Sequence, residues 1–200
     1  MTITDLLKAG LEHYQRGNLE GAEKKFRQVI LVDNRNIHGL NLLGMICVNT
    51  GRHEEAVHLI TDALKISPTD AQAQGNLGLA YQRMGNLKLS ESCFRKSIEL
   101  GGKNRTIFNS LGNVLRESGR ASEAVQVYES TLKVDGNYPE CWTNLSQALV
   151  DMGEFGRALQ AVSRALQIDP SLAEAHNQMA EVYRNTFKYD LAISAYKKSL

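Results

Sequence analysis

The residues in this chain whose types could do chemistry are few and scattered. His13, His38, His53, His58 and His176 fall far apart, and only His53 and His58 are close, at a spacing that does not align them on one helical face. Cys47, Cys93 and Cys141 are odd in number and lack a C-x-x-C pair, so they indicate neither a disulfide framework nor a zinc site and read as small hydrophobes. Neither a phosphate-cradling G-x-x-x-x-G-K-[ST] nor a G-x-S-x-G nucleophile motif occurs. The expectation is a protein with no catalytic residue, no bound metal and no cofactor. What recurs instead is the amide: Asn41, Asn76, Asn109, Asn144 and Asn177 come at nearly regular intervals. An asparagine side chain both donates and accepts, which suits hydrogen bonding to the backbone of an extended peptide whatever its sequence. The same residues would equally serve to face solvent or to fix local turns.

The elements that carry these amides are written in a repeat. The stretches LGMICVNTGR, LGLAYQRMGN and LGNVLRESGR begin at Leu43, Leu77 and Leu111, an interval of 34 residues. Extending the register gives units at 3–36, 37–70, 71–104, 105–138 and 139–172, and a shortened one at 173–200. The eighth position of each unit is small, as Gly10, Gly44, Gly78, Gly112, Ser146 and Ala180. The twentieth is again small, whereas the twenty-fourth carries Phe26, Ile60, Phe94, Tyr128, Val162 and Tyr196. Small residues let two backbones approach and large ones fill the space beside them. Gly17, Gly51, Gly85, Gly119 and Gly153 recur after a helical stretch, where glycine can take the left-handed conformation that ends a helix. Apolar residues keep helical spacing within each half-unit, and Ser67-Pro68-Thr69-Asp70 and Asp169-Pro170-Ser171 break the chain between units. Thr69 with Gln72, and Ser171 with Glu174, have capping-box spacing. Each unit is expected to be helix, tight turn, helix, and the fold all-α.

This pattern resembles the tetratricopeptide repeat across essentially the whole chain. Trp142, Leu145, Gly153, Phe155, Ala158, Ala165 and Asp169-Pro170 stand at the signature positions of the fifth unit, with Leu149 in place of a tyrosine. Gln74 and His176 replace a usual aromatic, Gly102 and Gly136 replace a proline, and Phe187 replaces the turn glycine, which leaves the sixth turn the least secure. The resemblance implies one right-handed superhelical solenoid over residues 1–200, its first helices lining a concave groove. It puts the second, fifth, sixth, ninth, twelfth and thirteenth positions of each unit on that groove. The groove residues so assigned are Asn41, Met45, Asn76, Arg83, Asn109, Asn113, Arg116, Asn144, Gln147, Asn177 and Arg184. Its entrance is apolar, with Leu7, Leu11 and Tyr14, and acid accumulates late, with Glu140, Asp151 and Glu181. The clamp by which some family members hold the acidic tails of chaperones needs paired cations and asparagine, and Leu7, Leu11, Gln72 and Asn76 do not supply it.

A formal net charge of +1 lacks the electrostatic footprint of a nucleic-acid binder. The amino terminus has no basic and apolar leader pattern, and no run approaches the roughly twenty apolar residues of a membrane span. These features point to a cytoplasmic protein with neither nucleic acid nor membrane as partner. The expected function is a scaffold that binds an extended peptide of a partner protein in its groove, with Asn76, Asn109 and Asn144 replaceable by Ala at the cost of binding alone. Leu200 falls inside a second helix, so the chain is expected to continue, and the uncapped end around Tyr183, Ala192 and Tyr196 offers a self-association surface. The run from His38 to Asn86 is similar to arrays in bacterial proteins that precede a glycosyltransferase or sulfotransferase domain. Transferases of O-linked N-acetylglucosamine hold substrates on an asparagine-lined solenoid, which implies an alternative role as the substrate-recruiting arm of such an enzyme.

Overall fold

A computed structural model describes residues 2–200, which form two compact units, one ending at Lys103 and the other running from Asn104 to Leu200. The first holds α1 (Ile3–Gln15), α2 (Leu19–Val32), α3 (Ile37–Asn49), α4 (His53–Ile66), α5 (Ala71–Arg83) and α6 (Leu87–Glu99). The second holds α7 (Arg105–Glu117), α8 (Ala121–Val134), α9 (Pro139–Asp151), α10 (Phe155–Ile168), α11 (Ala173–Asn185) and α12 (Tyr189–Lys198). Among the described residues there is no strand, and no helix is long and apolar enough to cross a membrane.

Within each unit, every odd-numbered helix packs on the even-numbered helix that follows it, and that second helix packs on the next first helix. The reason lies in the small and large positions. A Cβ added to Gly10 would sit 2.4 Å from the Phe26 ring, one on Gly44 2.5 Å from Ile60, one on Gly78 2.6 Å from Phe94, and one on Gly112 2.4 Å from Tyr128. These helices approach more closely than any side chain on the first helix would permit. In the fifth repeat the small residue is Ser146, whose hydroxyl donates to the Ala158 carbonyl at 2.8 Å, and the large position shrinks to Val162. The buried side chains so assembled, including Phe26, Leu43, Ile46, Ile60 and Leu77, make the core of the first unit. In the second, Val162, Ala165 and Ala175 gather Trp142, Leu159, Leu166, Leu172 and Met179 around them.

The turn glycines Gly17, Gly51, Gly85, Gly119 and Gly153 take φ between 73° and 79°, the left-handed region where a Cβ is penalised. The sixth turn closes in the same way without glycine: Phe187 is held at φ 60°. Both capping boxes expected from the sequence are corrected. Asp70, one residue past Thr69, caps α5 by accepting from the Gln72 and Ala73 amides, because an anionic acceptor there outcompetes a hydroxyl. Ser171 is bound to Asp169 instead, and Leu172 stands at the N-cap of α11 with no side-chain cap. A true box forms at the opposite end of the chain, where Thr2 and Asp5 exchange bonds at the start of α1.

Candidate binding face

First helices also touch one another within each unit, α3 against α5, α7 against α9 and α9 against α11. It is at these joints that the recurring asparagines sit. Asn76 Nδ2 donates to Asn41 Oδ1 at 2.8 Å, and Asn144 Nδ2 donates to Asn109 Oδ1 at 3.1 Å. Asn41, Asn76 and Asn109 are all buried, at 5%, 7% and 8% exposure. Each pair links the fifth position of one repeat to the sixth of the next, which explains why the asparagines alternate between two positions instead of keeping one. Replacing Asn76, Asn109 and Asn144 together would therefore orphan Asn41 and delete the α7–α9 pair as well as alter the face.

The series stops at the α9–α11 joint. There the fifth position is Thr143, whose hydroxyl turns back to the Pro139 carbonyl at 2.9 Å. The sixth is Gln178, buried at 7% exposure, whose Nε2 has no hydrogen-bond partner among the described residues. Asn177, the residue singled out from the sequence, is exposed beside it.

The ninth position follows a different logic. Asn113 Oδ1 accepts from the Tyr128 hydroxyl at 2.5 Å, and Glu181 accepts from the Tyr196 hydroxyl. Where the large core residue has no hydroxyl, as with Phe26, Ile60 and Phe94, the ninth position is Leu11, Met45 or Leu79. Asn113 thus answers to a buried phenol. Gln147, in the repeat that carries Val162, has no phenol to answer, and it lies half-buried on α9. This coupling was open to sequence comparison, since tyrosine at the twenty-fourth position coincides with an oxygen acceptor at the ninth.

Of the cations, Arg83 is exposed, Arg116 reaches Asp151 at 3.4 Å, and Arg184 Nε donates to Glu181 at 3.1 Å. The Arg116 Nε is buried without a partner among the described residues. Hydrogen bonds from Tyr196 and Arg184 hold the Glu181 carboxyl below its usual range. Burial pushes the thiols of Cys47 and Cys93 up to about 11 and that of Cys141 to about 12, which removes thiolate chemistry at neutral pH. Among the described residues no three of His, Cys, Asp and Glu gather closely enough to hold a metal ion. His176 has a structural role: its Nε2 lies 2.8 Å from the Pro170 carbonyl, the same contact six residues back that Trp142 Nε1 makes to Gly136 at 2.9 Å. A carbonyl only accepts, so Nε2 carries the proton and the histidine stands in for the indole.

The residues expected to form an apolar end are also corrected. Ala192 is buried at 4% exposure, and Tyr183 and Tyr196 are half-buried, Tyr196 through its hydroxyl's bond to Glu181 of α11; the exposed large apolar side chains of this end are Phe187, Tyr189, Leu191, Ile193 and Leu200.

Helix pairs of 34-residue period, closed by left-handed turns and packed small on large, define a helical-repeat protein. The chain belongs to the tetratricopeptide repeat family, whose models match residues 7–71, 69–137, 115–182 and 173–200. Proteins of this family are generally protein-interaction scaffolds. In sequence the chain is similar to the type IV pilus assembly protein PilF of Pseudomonas aeruginosa, 31% identical over 84 residues that make up 42% of this chain and 33% of that protein. The solved structure of P. aeruginosa PilF overlays 96% of this chain and 88% of its own with a TM-score of 0.82 at 18% identity. The Cut9–Hcn1 structure covers all of this chain and 40% of its own, with a TM-score of 0.90 at 19% identity. YrrB, described as having an unusual peptide-binding site, matches 87% of this chain and 90% of its own with a TM-score of 0.68 at 20% identity. At these identities the likeness is one of fold. The chain spans between 10% and 56% of the length of the curated relatives it matches.

Proposed function

We propose that the chain is a protein-interaction module that binds an extended segment of a partner against the first-helix face of its repeats. The observation that carries this reading is a division of labour on that face. Asn41, Asn76, Asn109 and Asn144 join neighbouring repeats, and Asn113 satisfies Tyr128, whereas Met45, Arg83, Gln147 and Asn177 remain accessible in full or in part. Rigid helices thus present polar groups that are free to meet a peptide backbone. The peptide-binding site ascribed to YrrB on the same fold supports the same use.

The test begins with a random peptide display selected on the full chain. Binding of a selected peptide to Arg83→Ala and to Gln147→Ala/Asn177→Ala is then measured by calorimetry. The substitutions should weaken binding at least about fivefold in a variant whose melting temperature is unchanged, since each removes about one hydrogen bond or ion contact. Undiminished binding in both variants rejects this face.

A second reading, the recruiting arm of a larger transferase, is favoured by one observation. Tyr189 and Ile193, one turn apart, leave exposed apolar side chains on one side of α12 that a further repeat would cover. The intact mass of the protein isolated from its own cells decides between the readings: a mass near 22.2 kDa rejects the arm, and a much larger one supports it.

A further inference from the structure

Carboxylates are distributed unevenly over the first-helix face. The positions assigned to that face on α1, α3 and α5 include Lys8, His38 and Arg83 and no carboxylate. On α7, α9 and α11 they include Glu117, Glu140, Asp151, Glu174 and Glu181. The two arginines there are engaged, Arg116 with Asp151 and Arg184 with Glu181. Arg105, whose field also reaches Glu140, is bound to Asp135 and lies over the Tyr138 ring. Glu117, Glu140 and Glu174 are exposed and in surplus.

A surplus of surface acid is ordinarily a solvated face. Here a second observation points to a ligand. Gln178 lies on the same stripe of α11 as Glu174 and Glu181, one turn from each, and is more than nine-tenths buried. Its Nε2 is a donor without an acceptor among the described residues, at the one first-helix joint of this unit that has no asparagine pair. A buried donor left unmade is costly, and a carbonyl oxygen supplied from outside would remove that cost.

We infer, resting on the reading above, that the first-helix face of the second unit takes a basic extended segment. One backbone carbonyl of that segment accepts from Gln178, and its Lys or Arg side chains meet Glu140 and Glu174. These two glutamates occupy the same position in successive repeats, on helices in direct contact, and such helices lie about 10 Å apart. An extended chain of the polyproline II type advances about 3.1 Å per residue with three residues per turn, so a basic side chain at every third residue returns to the same side after about 9 Å and matches the spacing.

The test is fluorescence anisotropy of the full chain with fluorescein-labelled peptides that repeat Gly-Ser-Lys or Gly-Ser-Glu, at low and at physiological salt. The lysine peptide should bind, and more weakly as salt rises. E140Q/E174Q should weaken it about tenfold, as the loss of two surface ion contacts implies. Q178L should weaken it about fivefold without lowering the melting temperature, because leucine removes an unpartnered donor. Failure of the lysine peptide to bind, or binding undiminished in E140Q/E174Q, overturns the assignment of a basic partner. If the glutamate peptide binds instead and is lost in Gln147→Ala, the face stands and its basic specificity falls. If neither peptide responds to any first-helix substitution, both fall.

Discussion

Tyr128 is fully buried, and its hydroxyl has one neutral acceptor in Asn113. Replacing Asn113 by Leu should cost about 1–3 kcal/mol in urea denaturation, because the phenol is left unpaired in the core. Adding Tyr128→Phe should recover most of that loss, since it recreates the Phe26/Leu11 and Phe94/Leu79 combinations of other repeats. A double variant as unstable as Asn113→Leu would show that Asn113 acts otherwise. Burial also raises the Tyr128 titration above the ordinary 10.0, so the folded chain keeps that proton to higher pH than the unfolded chain does. Its contribution is fully present below pH 10 and is lost as pH rises further; melting temperatures above that pH should fall less steeply in Tyr128→Phe than in the parent. Taken alone, Asn113 reads as an amide on the first-helix face, and only a comparison of the ninth with the twenty-fourth position across repeats points to its phenol. That partner belongs to the second helix and becomes adjacent only when the pair packs.

Between residues and the whole stand the helix pairs and their turns, where the sixth turn departs from the rest. Phe187 holds φ 60° while 78% exposed, so it bears the strain of a left-handed side chain and little burial in return, apart from an edge contact with Tyr189. Phe187→Gly should therefore raise stability by about 1 kcal/mol, read as a higher urea midpoint with an unchanged slope. A lower midpoint would mean that the aromatic contact outweighs the backbone strain. In the first unit, Arg52 bridges to Glu23 at 2.6 Å and Arg27 to Glu55 at 2.7 Å, joining α2 to the start of α4. The Arg52 hydrogen bond, then that of Arg27, holds the Glu23 carboxyl below its ordinary 4.5. A depressed carboxylate stabilises the fold above its unfolded value, and that contribution disappears as pH falls through the lower folded value. In Arg52→Gln the stability difference between neutral and acid pH should shrink, by less than about 1 kcal/mol because these groups are partly exposed. Helices, glycine turns and small-on-large contacts were legible in the sequence because each repeats at one fixed position. The asparagine pairs were not, since they link the fifth position of one repeat to the sixth of the next, and a register of equal positions hides that offset. Caps slipped by one residue at Asp70, where two neighbouring side chains compete for the same amides.

At the scale of the whole molecule, the repeat brings first-helix positions together from helix to helix, the fifth of one against the sixth of the next, and the side chains that meet there, Asn41 with Asn76 and Asn109 with Asn144, are amides. The proposed face is made of such positions. The central claim is that a partner segment lies against first helices, and hydrogen exchange read by mass spectrometry tests it directly, with the full chain measured alone and saturated with a display-selected peptide. The account predicts slower exchange on first helices, α9 and α11 among them, and no change on the second helices α8 and α10. Protection confined to α8 and α10 would contradict it and move the partner to the opposite side of the repeats.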